Sequence, residues 1–314
     1  MTSQIITSAP GKVILSGEHA VVHGYPALVT AVDIYAIVVI EKTKGKLSFY
    51  PTQASGILLR SLKNCETFLQ TKFGGLNINL RSDIPVGCGM GSSASIAVAV
   101  AAALMEYTSG KIVLKKINDI AYETEKHYHG NPSGVDVAIS TYGGFLWYRK
   151  ETSSFKVFSK IKPARNLSNI ILINSGKPQE NTAQMVGRVS ELYKKHPKKY
   201  EKTFQKIEKI TKSFLRFILN EEDVSLIELI KENERLLESI GVVSDSGVEL
   251  VRKIEKIGGA AKISGAGGRK GNSGILLAYH PEINKLLNFA KKMNIKLLHT
   301  FLGAKGVQIE KNNI

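Results

Sequence analysis

A glycine- and serine-rich turn at residues 85–95, Pro-Val-Gly-Cys-Gly-Met-Gly-Ser-Ser-Ala-Ser, has the composition of a phosphate-binding site. Its three glycines alternate, and a run of small helix-forming residues starts at Ile96. Glycines let successive backbone N–H groups point at one place, and the first turn of a helix adds free N–H groups and a positive dipole end. A strand-to-helix turn with Ser92 or Ser93 as the N-cap explains the same residues. Neither the Walker A pattern nor the dinucleotide-binding glycine pattern occurs in the chain.

Three carboxylates that follow this turn in the sequence are candidates for proton transfer or for holding a cation. Asp136 ends the loop His-Gly-Asn-Pro-Ser-Gly-Val-Asp at residues 129–136, where it could accept a proton from an alcohol or cap the next element. Glu123 and Glu125 flank the apolar stripe of the preceding helix on opposite sides. A magnesium ion bound to nucleotide phosphates needs only one or two protein oxygens, so either glutamate with a loop serine would suffice.

The most distinctive stretch covers residues 9–28, where Lys12, Glu18, His19 and His23 are spaced through apolar, strand-like sequence. Taken singly, a lysine or histidine here is more often an exposed or internally hydrogen-bonded group than a catalytic one. The order of the motifs along the chain is the stronger observation. This stretch, the glycine turn, the Asn-Pro-Ser-Gly loop and a late Ser-Gly-Ala-Gly-Gly turn at residues 264–268 follow one another. Their co-occurrence favours a functional interpretation of all four.

Strands and helices surround these motifs in a pattern that predicts an α+β fold. In the first half, the sequence predicts strands at 34–40, 76–80 and 144–148 and helices at 96–107 and 115–128. In the second half it predicts strands at 170–174, 274–279, 296–301 and 306–309, and helices at 181–193, 200–219, 224–240, 245–257 and 281–293. We predict two domains, residues 1–160 and 161–314.

Composition excludes several classes of protein. The chain has 314 residues, 43% of them hydrophobic, no apolar run long enough to span a membrane, no signal-peptide pattern and only two cysteines. These features predict a cytoplasmic protein with no membrane partner. The formal charge of +16 is typical of a nucleic-acid-binding protein. However, the densest cluster of positive residues falls on the outer face of an amphipathic helix, and no nucleic-acid-binding motif accompanies it. A basic surface also suits an enzyme with polyanionic substrates.

The order of the motifs resembles that of the GHMP kinases, the small-molecule kinases grouped as galactokinase, homoserine kinase, mevalonate kinase and phosphomevalonate kinase. The likeness covers nearly the whole chain and is closest to the mevalonate kinases. The opening Pro-Gly-Lys-Val-Ile-Leu-Ser-Gly-Glu-His-Ala-Val-Val at residues 10–22 and the loop at 129–136 have the mevalonate-kinase form. Galactokinases carry Asp-Tyr after Gly-Glu-His-Thr, and homoserine kinases lack Gly-Glu-His. The resemblance implies transfer of the ATP γ-phosphate to the C5 hydroxyl of mevalonate with Mg²⁺ as cofactor, and no specific nucleic acid as partner.

The resemblance implies a role for each site residue through the family's motifs. The ATP loop corresponds to Pro85, Val86, Gly87, Cys88, Gly89, Met90, Gly91, Ser92, Ser93, Ala94 and Ser95. The catalytic pair corresponds to Asp136 and Lys12, and the magnesium ligands to Ser93 and to Glu125, eleven residues before Asp136. The mevalonate contacts correspond to Glu18, His19 and Thr182, and the late turn that supports the phosphate loop to Ser264, Gly265, Ala266 and Gly267.

The resemblance also implies a two-domain architecture, with an N-terminal ribosomal-protein-like domain, a C-terminal ferredoxin-like domain and the active site between them. Family members are often dimers, so a homodimer is an expected alternative to a monomer. Two departures from the family pattern are Cys88 and Met90 in the ATP loop, and Arg269 and Lys270 after the late turn, which either contact phosphate or face solvent. The alternatives left open are a phosphomevalonate kinase or another kinase of the family, and a non-enzymatic, basic nucleic-acid-binding protein.

Overall fold

Two β-sheets and the helices packed on them form the structure, a computed structural model in which residues 4–310 are described. The strands are β1 (Ile5–Ser16), β2 (Pro26–Lys42), β3 (Ser48–Tyr50), β4 (Leu76–Ser82), β5 (Phe145–Lys150), β6 (Lys156–Ile161), β7 (Ile170–Asn174), β8 (Ala260–Ser264), β9 (Ile275–Tyr279), β10 (Leu297–Leu298) and β11 (Gln308–Glu310). The helices are α1 (Ser55–Leu69), α2 (Ser92–Ser109), α3 (Leu114–His129), α4 (Val135–Tyr142), α5 (Thr182–Lys195), α6 (Pro197–Ile218), α7 (Leu226–Ser239), α8 (Asp245–Lys256) and α9 (Ile283–Lys292). The predicted α+β class is confirmed.

The first sheet has seven strands in the described part of the chain, with β1 and β2 at its centre. The order β11–β1–β2–β4–β3 is extended by β5, which pairs with the N-terminal part of β2, and by β6, which pairs with β5. These strands pair antiparallel except β3 and β4, which are parallel and are connected through α1. Register shifts between Pro10 and Gly11 and between Ile14 and Ser16 bend β1 on both sides of Lys12.

Helix α2 is buried against β1, β2 and the helices α1, α3 and α4. Its sequence is rich in alanine and valine on every side, and residues 94–105 are all buried. A helix that is apolar all round has no solvent face, so it packs inside the protein. Its small side chains allow close approach, and the Thr7 hydroxyl of β1 donates to the Ala99 carbonyl oxygen at 2.8 Å. This packing fixes the N-terminal end of α2, which follows the glycine turn.

The second sheet has the strand order β10–β7–β9–β8, with each pair antiparallel. Counted along the chain from β7, the order is fourth, first, third, second, which is the ferredoxin-like arrangement implied by the resemblance. Helices α5 to α8 lie between β7 and β8 in the sequence, and α9 lies between β9 and β10. On α6, Tyr200, Phe204, Ile207 and Phe214 are buried, so its lysines face outward as predicted.

The predicted boundary between the two halves of the chain does not coincide with a boundary between the two sheets. Strand β6 runs to Ile161, and β11 returns from the second half to pair with β1 in the first sheet. The division into domains of residues 1–160 and 161–314 therefore stays a prediction. Strand β11 belongs to the second half of the chain but to the first sheet. Within residues 4–310 no helix is both long and apolar enough to span a membrane.

Candidate active site

A cleft of about 680 Å³ opens between the two sheets and contains residues from all four sequence motifs. The predicted site residues that line it are Lys12, His19, Val86, Gly87, Gly89, Met90, Gly91, Ser92, Ser93, Glu125, Asp136, Thr182, Gly265 and Ala266. The predicted residues outside the wall are Glu18, Pro85, Cys88, Ala94, Ser95, Ser264 and Gly267. The fold thus brings segments from both halves of the chain to one site.

The two glycine turns meet through backbone contacts that leave no room for side chains. Gly87, Gly89 and Gly91 have φ angles of 74°, 89° and 72°, a region that favours glycine. A Cβ atom on Gly89 would lie 2.6 Å from the Ser264 carbonyl oxygen, and one on Gly265 would lie 2.9 Å from the Gly89 carbonyl oxygen. The late turn therefore closes against the first turn and restricts where its N–H groups point.

Hydrogen bonds to both sheets hold the first turn in place. The backbone N–H of Lys12 in β1 donates to the Met90 carbonyl oxygen at 3.0 Å, and the N–H of Ile275 in β9 donates to the Cys88 carbonyl oxygen at 3.0 Å. Helix α2 has Gly91 as its N-cap and no side-chain cap, so a serine N-cap does not explain the motif. The first N–H groups of α2 are left for an anion in the cleft.

Ser95, the last residue of the predicted ATP loop, anchors the helices behind the cleft. Its buried hydroxyl donates to the Pro10 carbonyl oxygen at 2.7 Å and lies 3.1 Å from the Ser140 hydroxyl of α4. Ser140 donates to the same carbonyl oxygen at 2.8 Å. These bonds tie the start of α2 and the body of α4 to β1, close to Lys12 in the sequence. The sequence could not distinguish this anchor from the serines that face the cleft.

Lys12 and Asp136 form an ion pair in the cleft wall. The Lys12 Nζ lies 3.1 Å from the Asp136 Oδ1, and the exposed fractions of the two side chains are 3% and 31%. Asp136 lies in the first turn of α4, after the N-cap Gly134, where the helix dipole favours a negative charge. The buried ammonium is compensated by the carboxylate, and the partly exposed carboxylate can accept a proton from a hydroxyl in the cleft.

Ser93, Glu125 and His129 form a second polar group beside the phosphate turn. The His129 Nε2 lies 3.5 Å from the Glu125 Oε2 and 3.4 Å from the Ser93 Oγ. Burial raises the pKa of Glu125 to about 7, and a hydrogen bond from Ser93 opposes this shift. The other carboxylate oxygen, Oε1, is buried and has no hydrogen-bond partner among the described residues. An unpartnered carboxylate oxygen next to a hydroxyl fits the oxygen ligands that Mg²⁺ prefers.

The geometry also separates Glu125 from Glu123, which the helical pattern alone could not do. Glu123 pairs with Lys126 at 2.6 Å on the surface of α3 and does not line the cleft. Across residues 4–310, no cluster of three or more His, Cys, Asp or Glu side chains could hold a metal ion alone. A cation at Ser93 and Glu125 would therefore take further ligands from a bound molecule such as a nucleotide phosphate.

His19 is uncharged, and one of its ring nitrogens is an acceptor. Its Nε2 lies 3.0 Å from the Ala266 carbonyl oxygen; since a carbonyl oxygen only accepts, Nε2 carries the proton and Nδ1 has the lone pair. Burial lowers the pKa of His19 to about 4, and its Nδ1 is buried with no hydrogen-bond partner in the part of the chain that the structure describes. The ring can accept a hydrogen bond from a hydroxyl. Thr182, the first residue of α5, lines the same cleft.

Glu18, an expected substrate contact, is not brought into the cleft. Its side chain is fully buried, and its Oε1 accepts a hydrogen bond from the equally buried Lys262 of β8. Ser264 is also behind the wall, where its hydroxyl accepts from the Ile14 N–H at 2.8 Å. These contacts connect β1 and the turn after it with β8.

Lys177, in the loop between β7 and α5, is a cleft residue that was not predicted from the sequence. Its side chain lies across the phosphate turn, because a Cβ atom on Gly87 would be 2.7 Å from the Lys177 Cε. In the described part of the chain it takes part in no ion pair. Arg269 and Lys270 are exposed and do not line the cleft. Their backbone N–H groups donate to the Glu180 Oε2. The additional positive charge at the turn is thus Lys177.

Side chains of β5 hold the Asn-Pro-Ser-Gly loop, and these were not predicted from the sequence either. The Lys150 Nζ donates to the Asn131 Oδ1 at 2.6 Å and to the Pro132 carbonyl oxygen at 3.1 Å. The Tyr148 hydroxyl donates to the Ser133 carbonyl oxygen at 2.6 Å. These bonds position the loop that leads into α4.

One part of the cleft wall is apolar. It is formed by residues from α1, β4, α3 and the adjoining loops: Pro51, Ala54, Ile57, Leu80, Val86 and Tyr128. Because Val86 belongs to the phosphate turn, this apolar part is continuous with the anion site. A flat aromatic ring placed there would bury its apolar surface away from water, while a polar substituent on the ring stayed near the turn.

Comparison with known proteins gives two results from the sequence. The family model of the GHMP kinases N terminal domain matches residues 57–144. The chain is 35% identical over 278 residues to a mevalonate kinase from Archaeoglobus fulgidus, and the match covers 84% of this chain and 89% of that protein.

Solved structures agree in fold. The chain is similar to L. major mevalonate kinase in complex with R-mevalonate, with a TM-score of 0.80, 24% identity and 98% of both chains covered. It is also similar to Streptococcus pneumoniae phosphomevalonate kinase in complex with phosphomevalonate and AMPPNP, with a TM-score of 0.78, 17% identity, and 96% of this chain and 99% of that chain covered. The GHMP-kinase fold expected from the sequence is confirmed.

Proposed function

Since the chain belongs to the mevalonate kinase family of the GHMP kinases and is an ATP-dependent kinase with an alcohol as acceptor, we propose that it transfers the γ-phosphate of ATP to the C5 hydroxyl of (R)-mevalonate. The products are 5-phosphomevalonate and ADP. The observation that carries this proposal is the Lys12–Asp136 pair, 3.1 Å apart in a cleft that also contains an anion-binding turn. A proton acceptor and a phosphate site thus share one cavity.

In the proposed reaction, the hydroxyl oxygen of the acceptor forms a bond to the γ-phosphorus as the bond to the β,γ-bridging oxygen breaks. Asp136 takes the hydroxyl proton, so the attacking oxygen does not carry it into the transition state. The Lys12 ammonium lies next to the reacting oxygens and stabilises the negative charge that gathers on them. Alignment and charge neutralisation supply the acceleration, as in other phosphoryl transfers.

The proposed ATP site extends from the phosphate turn to the apolar part of the wall. The N–H groups of Gly89, Gly91, Ser92 and Ser93 would bind the phosphates, supported by the positive end of the α2 dipole. The adenine ring would lie in the apolar part, next to Val86. Pro85, Cys88, Ala94 and Ser95 would then support the loop through the backbone and the core.

Mg²⁺ is the proposed cofactor, held by Ser93 and Glu125. When bound there, it would neutralise phosphate charge that the N–H groups of the turn leave uncompensated. The unpartnered oxygen of Glu125 supports this assignment, because a buried carboxylate oxygen is costly until a cation or a donor satisfies it. His129, 3.4 Å from Ser93 and 3.5 Å from Glu125, would orient both side chains.

His19 and Thr182 are the proposed contacts to the acceptor. The lone pair on the His19 Nδ1 would accept a hydrogen bond from a hydroxyl of mevalonate. The Thr182 hydroxyl would donate to its carboxylate, and the N-terminal end of α5 favours a negative charge at that place. Both side chains line the same cleft as Asp136.

The charges of the cleft disfavour phosphomevalonate, the nearest alternative acceptor. Among the described residues, the wall contains two lysines, Lys12 and Lys177, and no arginine. Lys12 is paired with Asp136, and Lys177 lies across the turn proposed for the nucleotide. Neither is left for the phosphate group of a phosphorylated acceptor, and a phosphate buried without its own cation is costly.

ADP release from MgATP in the presence of different acceptors tests the proposal. The panel contains mevalonate, phosphomevalonate, diphosphomevalonate, homoserine and galactose, and the product is analysed for the position of the new phosphate. We expect turnover with mevalonate alone and phosphate on its C5 oxygen. Turnover with another acceptor but not with mevalonate would contradict the proposed substrate, and no turnover with any of the five would contradict the proposed activity.

Replacing Lys177 with Met is expected to weaken ATP binding about tenfold and to leave adenosine binding unchanged. A charge-assisted contact to phosphate contributes about 1.5–3 kcal/mol, and every 1.4 kcal/mol is about tenfold in affinity. Adenosine has no phosphate for the Lys177 ammonium to contact, so the substitution should not change its affinity. Calorimetric titration of wild type and Lys177→Met with ATP, ADP and adenosine measures the difference.

The exposed Lys198 of α6 provides the control for Lys177, because Lys198→Met removes the same charge at a residue that does not line the cleft. Its affinity for ATP should stay within about twofold of wild type at the same salt concentration. Equal losses in the two variants, or an equal loss of ATP and adenosine affinity in Lys177→Met, would show that Lys177 does not contact phosphate.

A further inference from the structure

Glu18 lies behind the wall of the cleft, one residue before His19. Its side chain has no exposed surface and does not line the cleft. It follows Gly17, whose φ is 107° and where a Cβ atom would lie 2.5 Å from the Ala27 Cα, so the turn after β1 is tightly packed on β2. The carboxylate therefore has no open path to an acceptor in the cleft.

The partner of Glu18 is Lys262 in the middle of β8. The Lys262 side chain also has no exposed surface, and its Nζ donates to the Glu18 Oε1, to the Ile263 carbonyl oxygen at 2.7 Å and to the Ile14 carbonyl oxygen at 3.4 Å. Glu18 follows a strand of the first sheet, and Lys262 belongs to the second sheet. The pair thus connects the two sheets under the active site.

Two further hydrogen bonds extend this connection to the cleft wall. The Ser264 hydroxyl accepts from the Ile14 N–H at 2.8 Å, and the Ala266 carbonyl oxygen accepts from the His19 Nε2 at 3.0 Å. Lys262 and Ser264 are two residues apart on β8, the spacing of side chains on one face of a strand, and Ala266 follows in the turn after β8. The contacts therefore form a row that begins at the buried pair and ends at His19.

A second buried glutamate, Glu234, does not compete with Glu18 for the Lys262 ammonium. Glu234 of α7 accepts from the Ile263 N–H at 3.0 Å and makes no ion pair with Lys262, and burial raises the pKa of Glu234 to about 8. Burial also raises the pKa of Glu18, and the Lys262 ammonium opposes that shift. Of these two glutamates, Glu18 is the one that contacts the Lys262 ammonium, so Glu18 is the carboxylate that compensates Lys262.

We propose that Glu18 is a positioning residue: through Lys262 it fixes the turn that presents His19 to the acceptor, and it does not contact the acceptor itself. This inference rests on the proposed function, which defines the acceptor. Removing one member of the pair leaves the other buried without its partner, and the turn must shift to relieve it. His19 moves with the turn, whereas the phosphate turn and the Lys12–Asp136 pair keep their own contacts.

Steady-state kinetics of three variants test this role. Lys262→Met is expected to raise KM for mevalonate at least about tenfold while KM for ATP stays within about threefold, since a group that orients a binding residue typically affects it 10–100-fold. Glu18→Gln keeps an oxygen for Lys262 to donate to but not the charge that compensates it, and should raise KM for mevalonate less than Lys262→Met does. The double variant Glu18→Leu with Lys262→Met removes the pair as a unit and should have a lower KM than Lys262→Met alone.

The opposite results identify a direct contact. If Glu18 bound the acceptor, Glu18→Gln would raise KM for mevalonate more than Lys262→Met does, and the double variant would be worse than either single variant. Either result overturns the inference, as does an unchanged KM in Lys262→Met. If Lys262→Met does not fold, Glu18→Gln and the double variant decide the question. Absence of wild-type turnover with mevalonate would instead overturn the proposed function.

Changes in KM separate positioning from loss of stability. A variant that only unfolds more easily has a lower thermal midpoint and less active enzyme, but its remaining folded molecules keep the wild-type KM. Glu234→Gln is the matched control, because this side chain is buried in the same place, keeps an oxygen for the Ile263 N–H and does not bond to Lys262. Its KM for mevalonate should stay within about twofold of wild type, as expected for a side chain outside the row of contacts.

Discussion

Asp136→Asn enzyme is expected to turn over about 10³-fold more slowly than wild type and to bind ATP with nearly unchanged affinity. General-base catalysis contributes about 10²–10⁴-fold, and the amide cannot take the hydroxyl proton. Asn keeps the size of the side chain and an oxygen that can accept from the Lys12 ammonium, which lies 3.1 Å from the Asp136 Oδ1 in the wild type. The nucleotide's proposed ligands lie on the phosphate turn and are not changed. Measured kcat with saturating mevalonate, together with ATP titration, gives both quantities.

A second carboxylate serves as the control for Asp136→Asn. Asp119 lies on α3, pairs with Lys115 at 2.8 Å on the surface and does not line the cleft. Asp119→Asn should leave kcat within about twofold of wild type, since an exposed pair of this kind contributes little. A wild-type kcat in Asp136→Asn would remove Asp136 from the mechanism. A joint loss of kcat and ATP affinity would mean that Asp136 helps to hold the nucleotide.

The parts of the site that could be predicted from sequence are those in which one short segment carries both the backbone geometry and the chemistry. The turn at residues 85–95 and the loop at 129–136 are of this kind, because glycines and the start of a helix act on neighbouring residues. Strand alternation and the helical stripe predicted most of the long elements for the same local reason. The helix α1 was not predicted, although Leu58, Leu62 and Cys65 follow helical spacing, because it begins at Ser-Gly and is largely polar between them.

The parts that could not be predicted are contacts between segments distant in the sequence. Lys262 and Lys177 look like any other lysine in the chain, yet one is fully buried against Glu18, 244 residues away, and the other lies across Gly87. Nothing local separates a lysine that faces solvent from one that compensates a buried carboxylate. Glu18 shows the same limit for resemblance: the family motif placed it at the acceptor, whereas its packing against β8 is a property of this tertiary structure.

Replacing Gly89 with Ala is expected to lower kcat/KM for ATP about a hundredfold, because the phosphate turn and the late glycine turn could no longer close. An Ala Cβ would lie 2.6 Å from the Ser264 carbonyl oxygen, and this neighbour is backbone that cannot rotate away. The turn would move outward, and its N–H groups would no longer point at the phosphates. The loss of one aligned hydrogen-bond donor typically lowers the rate 10²–10³-fold. Initial rates over a range of ATP concentrations measure the effect.

Gly110, at the other end of α2, separates this contact from the cost of the backbone conformation. Its φ is 64°, compared with 89° at Gly89, and nothing lies within 4 Å of the Cβ that Ala would add. An alanine in the left-handed region costs about 1–2 kcal/mol at either position, so both variants should lose thermal stability. Only Gly89→Ala should lose kcat/KM for ATP, because only there does the methyl group separate two loops from different sheets. Equal kinetics in Gly89→Ala and Gly110→Ala would mean that the two turns need not touch for phosphate to bind, and that the late turn acts only through His19 and Ala266.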